Sequence, residues 1–140
     1  MITYVDTSTL MKLIVEEEGS DRAGIVWSAA DRLASISLVV VEARAALAAA
    51  TRAQRLTAAQ HRTAKRTLTA LVEELHLVDP TDEVISDAAD LAEAEALRGY
   101  DAVHLAAALI VGAEVLTSAD TALCAAAARR NVHVANPLSA

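Results

Sequence analysis

Apolar and polar positions along this chain change period repeatedly, and each change marks an element. Ile2–Val5 is a short β-prone apolar run ending at Asp6, the pattern of a buried strand. Thr7, Ser8 and Thr9 offer capping hydroxyls to a helix over about residues 9–16. Gly19 and Ser20 punctuate, Asp21–Ala30 forms a second helix, and Leu33–Ser37 is a second short strand. From Leu38 the period is helical to about Arg52, and a break at Arg55–Thr57 leads into a long helix over Ala58–Glu74. There Ala64, Leu68, Leu71 and Leu75 fall on one face and point to a core, while Arg62 and Arg66 lie off that stripe. His76–Val78 is a weak strand stopped by Asp79-Pro80, and Asp82–Leu97 is an amphipathic helix ended by Gly99. Asp101–Val111 is apolar almost all round, so it should be central and buried. Glu114–Leu116, Thr121–Arg130 and Val132–Val134 read as strand, helix and last strand, before Asn136-Pro137. Strands alternating with helices predict one α/β domain over residues 1–140, with a parallel sheet covered on both faces.

Composition sharpens this picture. Aromatics are only 2% (Tyr4, Trp27, Tyr100), so the core must be Leu, Val, Ile and Ala, with helices packed closely on alanine. The single cysteine, Cys124, excludes an intrachain disulfide and a cysteine-based zinc site, and is assigned to packing. The start of the chain has no basic region ahead of an apolar run, and the longest apolar stretch, Ala102–Ala113, contains His104 and falls well short of a membrane span. A soluble, cytoplasmic protein is the expectation. Net charge is −7, yet from Ala43 to Val72 there is no acid, only Arg44, Arg52, Arg55, Arg62, Lys65 and Arg66 among charged residues. Such a tract suits a polyanion or an acidic partner, or is simply a solvated helix face.

The candidate chemistry is acidic. In an open parallel sheet, sites form beyond the carboxyl ends of strands. Asp6 and Asp120 follow strands, Asp101 opens the buried helix, and Glu42 sits early in a long helix within Leu38-Val39-Val40-Val41-Glu42-Ala43. An unpaired carboxylate in that apolar run is costly. Each acid alone would be an ordinary cap or surface group. Together they repel and tend to hold protons unless a cation intervenes. An all-oxygen set suits Mg²⁺ or Mn²⁺, and such a site binds phosphate oxygens and acidifies a bound water.

Four stretches carry a more specific likeness: Tyr4-Val5-Asp6-Thr7-Ser8, Val41-Glu42-Ala43-Arg44, Gly99-Tyr100-Asp101-Ala102-Val103-His104-Leu105-Ala106-Ala107-Ala108 and Thr117-Ser118-Ala119-Asp120-Thr121-Ala122-Leu123. In this order they resemble the acidic motifs of PIN-domain, VapC-type toxins, across essentially the whole chain. The resemblance implies a three-layer fold around a parallel five-stranded sheet of order 3-2-1-4-5. It implies an acidic quartet of Asp6, Glu42, Asp101 and Asp120. Asp6 would bind the metal directly, Asp101 and Asp120 would complete or orient its shell, and Glu42 would bind it through water or help activate the attacking water. Ser8 and Ser118 would support the carboxylates, or else cap helices.

The implied activity is a Mg²⁺-dependent endoribonuclease, with Mn²⁺ able to substitute, that cuts tRNA or rRNA to leave a 5′-phosphate and arrest translation. The implied partners are a cognate VapB-type antitoxin, whose disordered tail can place a basic side chain among the acids, and a second copy of the chain. Arg44, Arg52, Arg55, Arg62 and Arg66 become candidate RNA contacts. His104, one turn beyond Asp101, is expected to be a hydrogen-bonded core histidine and not a general base. Two other classes stay open. One is a catalytically silent PIN-like module that binds protein or RNA. The other is a phosphatase with an aspartyl nucleophile, which usually wants a second acid two positions on, where Ser8 stands.

Overall fold

Five short strands form the middle layer of the computed structural model, which describes residues 1–139. They are β1 (Ile2–Val5), β2 (Arg32–Ile36), β3 (Leu75–Val78), β4 (Val115–Thr117) and β5 (His133–Ala135). All pairings are parallel and the order is β3-β2-β1-β4-β5, as expected from the motifs. Each crossover carries helix: α1 (Thr7–Ile14) and α2 (Ser20–Ala29), then α3 (Leu38–Arg52) and α4 (Ala58–Glu73), then α5 (Asp82–Ala94) and α6 (Gly99–Ile110), then α7 (Thr121–Arg129). The chain winds outward from β1 through β2 to β3, then returns to the other side of β1 for β4 and β5. The crevice at the carboxyl ends of β1 and β4 is therefore the topological switch point, where such sheets bind ligands.

Alternation along the strands sorts the apolar residues into two cores. Tyr4, Ala34, Ile36, Val78 and Leu116 face α5, α6 and α7, joined there by Val84, Ala88, Leu91, Leu105 and Ala107. Val5 and Leu75 face the other way, with Leu10, Val39, Ala43, Leu47, Ala64 and Leu68 of α1, α3 and α4. Helix α6 is buried almost all round, from Ala102 through Ala108 with the half-buried Val103 the exception. Its alanines leave no side-chain bulk between it and its neighbours. No helix among the described residues is long and apolar enough to cross a membrane.

Boundaries differ from expectation where capping decides them. Helix α1 begins at Thr7 because the Asp6 side chain, not a following hydroxyl, caps it by accepting from Thr9 N–H. Helix α5 stops at Ala94, and the reversal is made by Ala96 at φ +52°, not by glycine. The buried Leu97 and its N–H bond to the Ala92 carbonyl hold that turn. Gly99 then opens α6, so Asp101 is the third residue of that helix and not its start. Leu75 belongs to β3, not to the apolar face of α4, and strands β2, β4 and β5 are each offset by one residue from the expected spans.

Close alanine packing makes a direct prediction. Ala107 is fully buried, whereas Ala125 on α7 is exposed. Ala107→Leu should destabilise the fold by about 1–3 kcal/mol through overpacking, and Ala125→Leu should lie within about 0.5 kcal/mol of the parent. Urea unfolding of the two variants checks this, and equal stabilities would refute it.

Candidate active site

Asp6 leaves β1 at its carboxyl end, where its N–H still bonds the Thr117 carbonyl of β4 at 3.2 Å. Its side chain turns inward and is 4% exposed. Oδ1 accepts from Thr9 N–H at 3.0 Å and from the Ser8 hydroxyl at 2.7 Å, and Oδ2 accepts from the Ser118 hydroxyl at 2.6 Å. Burial holds this carboxyl above the ordinary aspartate range, against the pull of His104 and of these donors. Ser8 and Ser118 also stitch α1 to the loop after β4. The Ser8 oxygen accepts from Ala119 N–H and the Ser118 oxygen from Asp120 N–H, both at 2.9 Å.

Asp120 caps α7, with Oδ1 accepting from Leu123 N–H at 2.9 Å. Its other oxygen accepts from Arg98 Nη2 at 3.0 Å, while Arg98 Nε donates to Asp101 Oδ2 at 3.2 Å. One guanidinium thus bridges two of the four acids. Arg98 was not singled out in the sequence. Its one signal is that it occupies the N-cap of α6, a position that favours Ser, Thr, Asp or Asn, and makes no capping bond there.

Glu42 stands in the second turn of α3 and is half-buried. Oε1 accepts from the Thr7 hydroxyl at 2.9 Å and from His104 Nε2 at 2.8 Å. Burial pushes this carboxyl up, but the bonds from His104 and Thr7 outweigh it and hold it below the ordinary glutamate range. His104 is buried, and its Nδ1 lies 2.8 Å from the Tyr4 hydroxyl. An ionised carboxylate only accepts, so Nε2 carries the hydrogen. In neutral imidazole Nδ1 then accepts from Tyr4. His104 is the satisfied core histidine expected, but one of its partners is a candidate site acid. Cys124 is also buried, which holds its thiol up at about 11.

The structure therefore gathers all four acids around the carboxyl edge of the sheet in two linked groups. Asp6, Ser118, Asp120, Arg98 and Asp101 form one hydrogen-bonded chain. Thr7, Glu42, His104 and Tyr4 form the other, beginning beside Asp6. Among the described residues no three His, Cys, Asp or Glu side chains stand together as a ready ion cage. The donor chemistry nonetheless fits a hard divalent ion: the groups are anionic oxygens, and one pair is already held by a shared cation. Arg44 is exposed two residues beyond Glu42, but Arg52 lies about 15 Å from Glu42 along the helix at a rise of 1.5 Å per residue. Arg55, Arg62 and Arg66 are exposed on the turn after α3 and on α4. A cleft of about 520 Å³ between the end of α1 and the start of α4 contains none of the acids, so concavity alone does not mark the site.

This fold and its acidic edge are those of a PIN domain. The PIN-domain family model matches residues 3–129, and the chain belongs to that family. Within it the chain falls with VapC proteins. It is 42% identical over 111 residues to ribonucleases VapC45 and VapC49 of Mycobacterium tuberculosis, covering 79% of this chain and 77% of each relative. Among solved structures, FitAcB from Neisseria gonorrhoeae superposes with a TM-score of 0.76 at 17% identity, over 100% of both chains. A toxin–antitoxin complex from Klebsiella pneumoniae gives 0.69 at 16% identity, over 96% of this chain and 97% of that one. At those identities the likeness is one of fold.

Asp6 carries a stability consequence. Its folded-state pKa is raised, so the folded chain holds that proton more tightly than the unfolded chain does. Above the ordinary aspartate range the ionised group therefore costs stability, and below that range the cost vanishes. Asp6→Asn should raise Tm at neutral pH in chelator-treated buffer. That gain should disappear as pH falls through the carboxylate range. Calorimetry across pH tests this, and a Tm lowered at neutral pH would contradict it.

Proposed function

We propose that this chain is a Mg²⁺-dependent endoribonuclease toxin, with Mn²⁺ able to substitute, that cuts tRNA or rRNA and is held in check by a VapB-type antitoxin. The observation that carries this reading is the acid set itself: Asp6, Asp120 and Asp101 joined through Ser118 and Arg98, with Glu42 bonded to Thr7, the residue after Asp6. Two relatives at 42% identity bear the name ribonuclease, which supports the same reaction class.

In this reading Asp6, Asp101 and Asp120 hold the ion, and Glu42 acts through water. A bound divalent ion would neutralise these carboxylates, hold a phosphate oxygen and lower the pKa of a water. The protein supplies orientation. Ser8, Ser118 and Thr9 N–H fix both oxygens of Asp6 without adding charge. His104 and Thr7 keep Glu42 ionised, so it can accept a proton from the attacking water. Water adds to phosphorus, the bond to the 3′ oxygen breaks, and the products are a 5′-phosphate and a 3′-hydroxyl. An aspartyl-phosphate route has less support, because the position two beyond Asp6 is a serine bonded to that aspartate.

The acid edge attracts cationic side chains, which supports inhibition by a basic antitoxin segment. A toxin–antitoxin complex among the structural neighbours agrees with such a partner. A homodimer and a cytoplasmic location complete the proposal. Arg44, Arg52, Arg55, Arg62 and Arg66 are the proposed contacts to the RNA backbone.

Incubating the purified protein with total cellular RNA and Mg²⁺ or Mn²⁺ should produce one dominant new 5′-phosphate end, absent with Asp6→Asn. No cut by folded, ion-loaded protein would favour a silent binding module instead. Equal cutting by both proteins would place the chemistry elsewhere. Separately, Arg62→Glu with Arg66→Glu should weaken RNA binding at least about tenfold and leave Mn²⁺ binding unchanged, with a shallower salt dependence of RNA affinity. Unaltered RNA affinity would remove α4 from the interface.

A further inference from the structure

Arg98 has no role in the four-acid scheme, yet its guanidinium bonds two of those acids. It stands at the N-terminus of α6 against two local preferences. It makes no capping bond, and a cation at a helix N-terminus faces the positive end of the dipole. Its side chain is 82% exposed, so neither core packing nor burial keeps it there. The bonds to Asp101 at 3.2 Å and Asp120 at 3.0 Å define its position. Exposed ion pairs of this kind are weak and readily exchanged. A guanidinium fork fits a phosphodiester as well as it fits a carboxylate.

RNA approaching this edge meets four carboxylates and needs a positive group turned toward solvent. We propose that Arg98 is the phosphate-positioning residue of the site: it neutralises Asp101 and Asp120 until a divalent ion takes over those carboxylates, and then turns its guanidinium to the RNA backbone. This rests on the metal-dependent nuclease reading above. Two effects of opposite sign follow. Arg98 competes with the ion for the acids, and it assists RNA once the ion is bound. A purely structural N-cap residue would do neither.

The test uses the full chain as wild type, Arg98→Gln and Arg98→Lys. Mn²⁺ binding is measured by calorimetry without RNA, and binding of 3′-labelled bulk tRNA by anisotropy in saturating Mn²⁺, in the cold. Arg98→Gln should bind Mn²⁺ about three- to tenfold more tightly. It should bind tRNA about five- to tenfold more weakly. Arg98→Lys, which keeps the charge but not the fork, should restore part of the tRNA affinity. Equal Mn²⁺ affinity in wild type and Arg98→Gln overturns the competition, and unchanged tRNA affinity overturns the phosphate contact. In both cases the metal site itself would stand. A fall in both affinities with a lowered Tm marks a structural residue and also overturns the proposal. If folded wild type and Arg98→Gln both fail to bind Mn²⁺, the metal-dependent reading beneath it is lost.

Discussion

Burying the Asp6 carboxylate at the end of the central strand sets the conditions that the rest of the site must meet. A charge removed from water needs donors on both oxygens, and this one draws them from two directions. Thr9 N–H and Ser8 come from the first turn of α1, and Ser118 comes from the loop after β4. Satisfying Asp6 therefore locks the start of α1 against the end of β4, at the switch point of the sheet. The constraint propagates, because the Ser118 oxygen that serves Asp6 also receives Asp120 N–H. The position of one acid becomes a condition on the position of another. These donors are neutral, so they orient Asp6 without discharging it, and the residual demand for positive charge remains.

The four acids meet that demand in different ways, and the differences matter for chemistry. Asp6 has hydroxyls and a backbone N–H, Glu42 has an imidazole and a hydroxyl, and Asp101 and Asp120 share a guanidinium. Hydroxyl and amide donors can stay in place when a cation arrives, since they add no competing charge. The guanidinium competes directly with any incoming ion. It is also the most exposed of these partners, so the least costly to displace. The site is thus stiff around Asp6 and Glu42 and exchangeable at Asp101 and Asp120.

Much of this arrangement was legible in the sequence, for identifiable reasons. Short β-prone runs followed by acids place Asp6 and Asp120 just beyond strand ends, and parallel βα alternation puts those ends on one edge. The apolar all-round pattern of residues 101–111 marks α6 as central. What escaped the reading depends on contacts distant in sequence or on unusual backbone. Nothing local to Arg98 announces Asp120, which lies 22 positions away, and nothing local to His104 announces Glu42, which lies 62 positions away. The left-handed turn at Ala96 has no local signal, because such turns are normally marked by Gly or Asn and the nearest glycine is Gly99. The hydroxyls of Thr7, Ser8 and Thr9 draw the capping assignment in the sequence, whereas the Asp6 carboxylate itself accepts from Thr9 N–H and caps α1.

Helix α6 joins core packing to site geometry. Asp101 lies in its first turn, and His104, one turn on, reaches Glu42 of α3. A single rotation or slide of α6 would move two of the four acids' environments together. Bulky side chains at its interfaces would leave room to repack into neighbouring arrangements. Alanine does not, because it has no rotamers and lets backbones approach closely. The nearly aromatic-free composition is therefore part of how the acid edge is held. His104 is the polar group admitted to the buried stretch of this helix, and it is tolerated because Tyr4 and Glu42 satisfy both nitrogens. A carboxylate partner requires a hydrogen on Nε2, so the same bond that makes the histidine acceptable in the core also fixes the orientation of Glu42 at the edge.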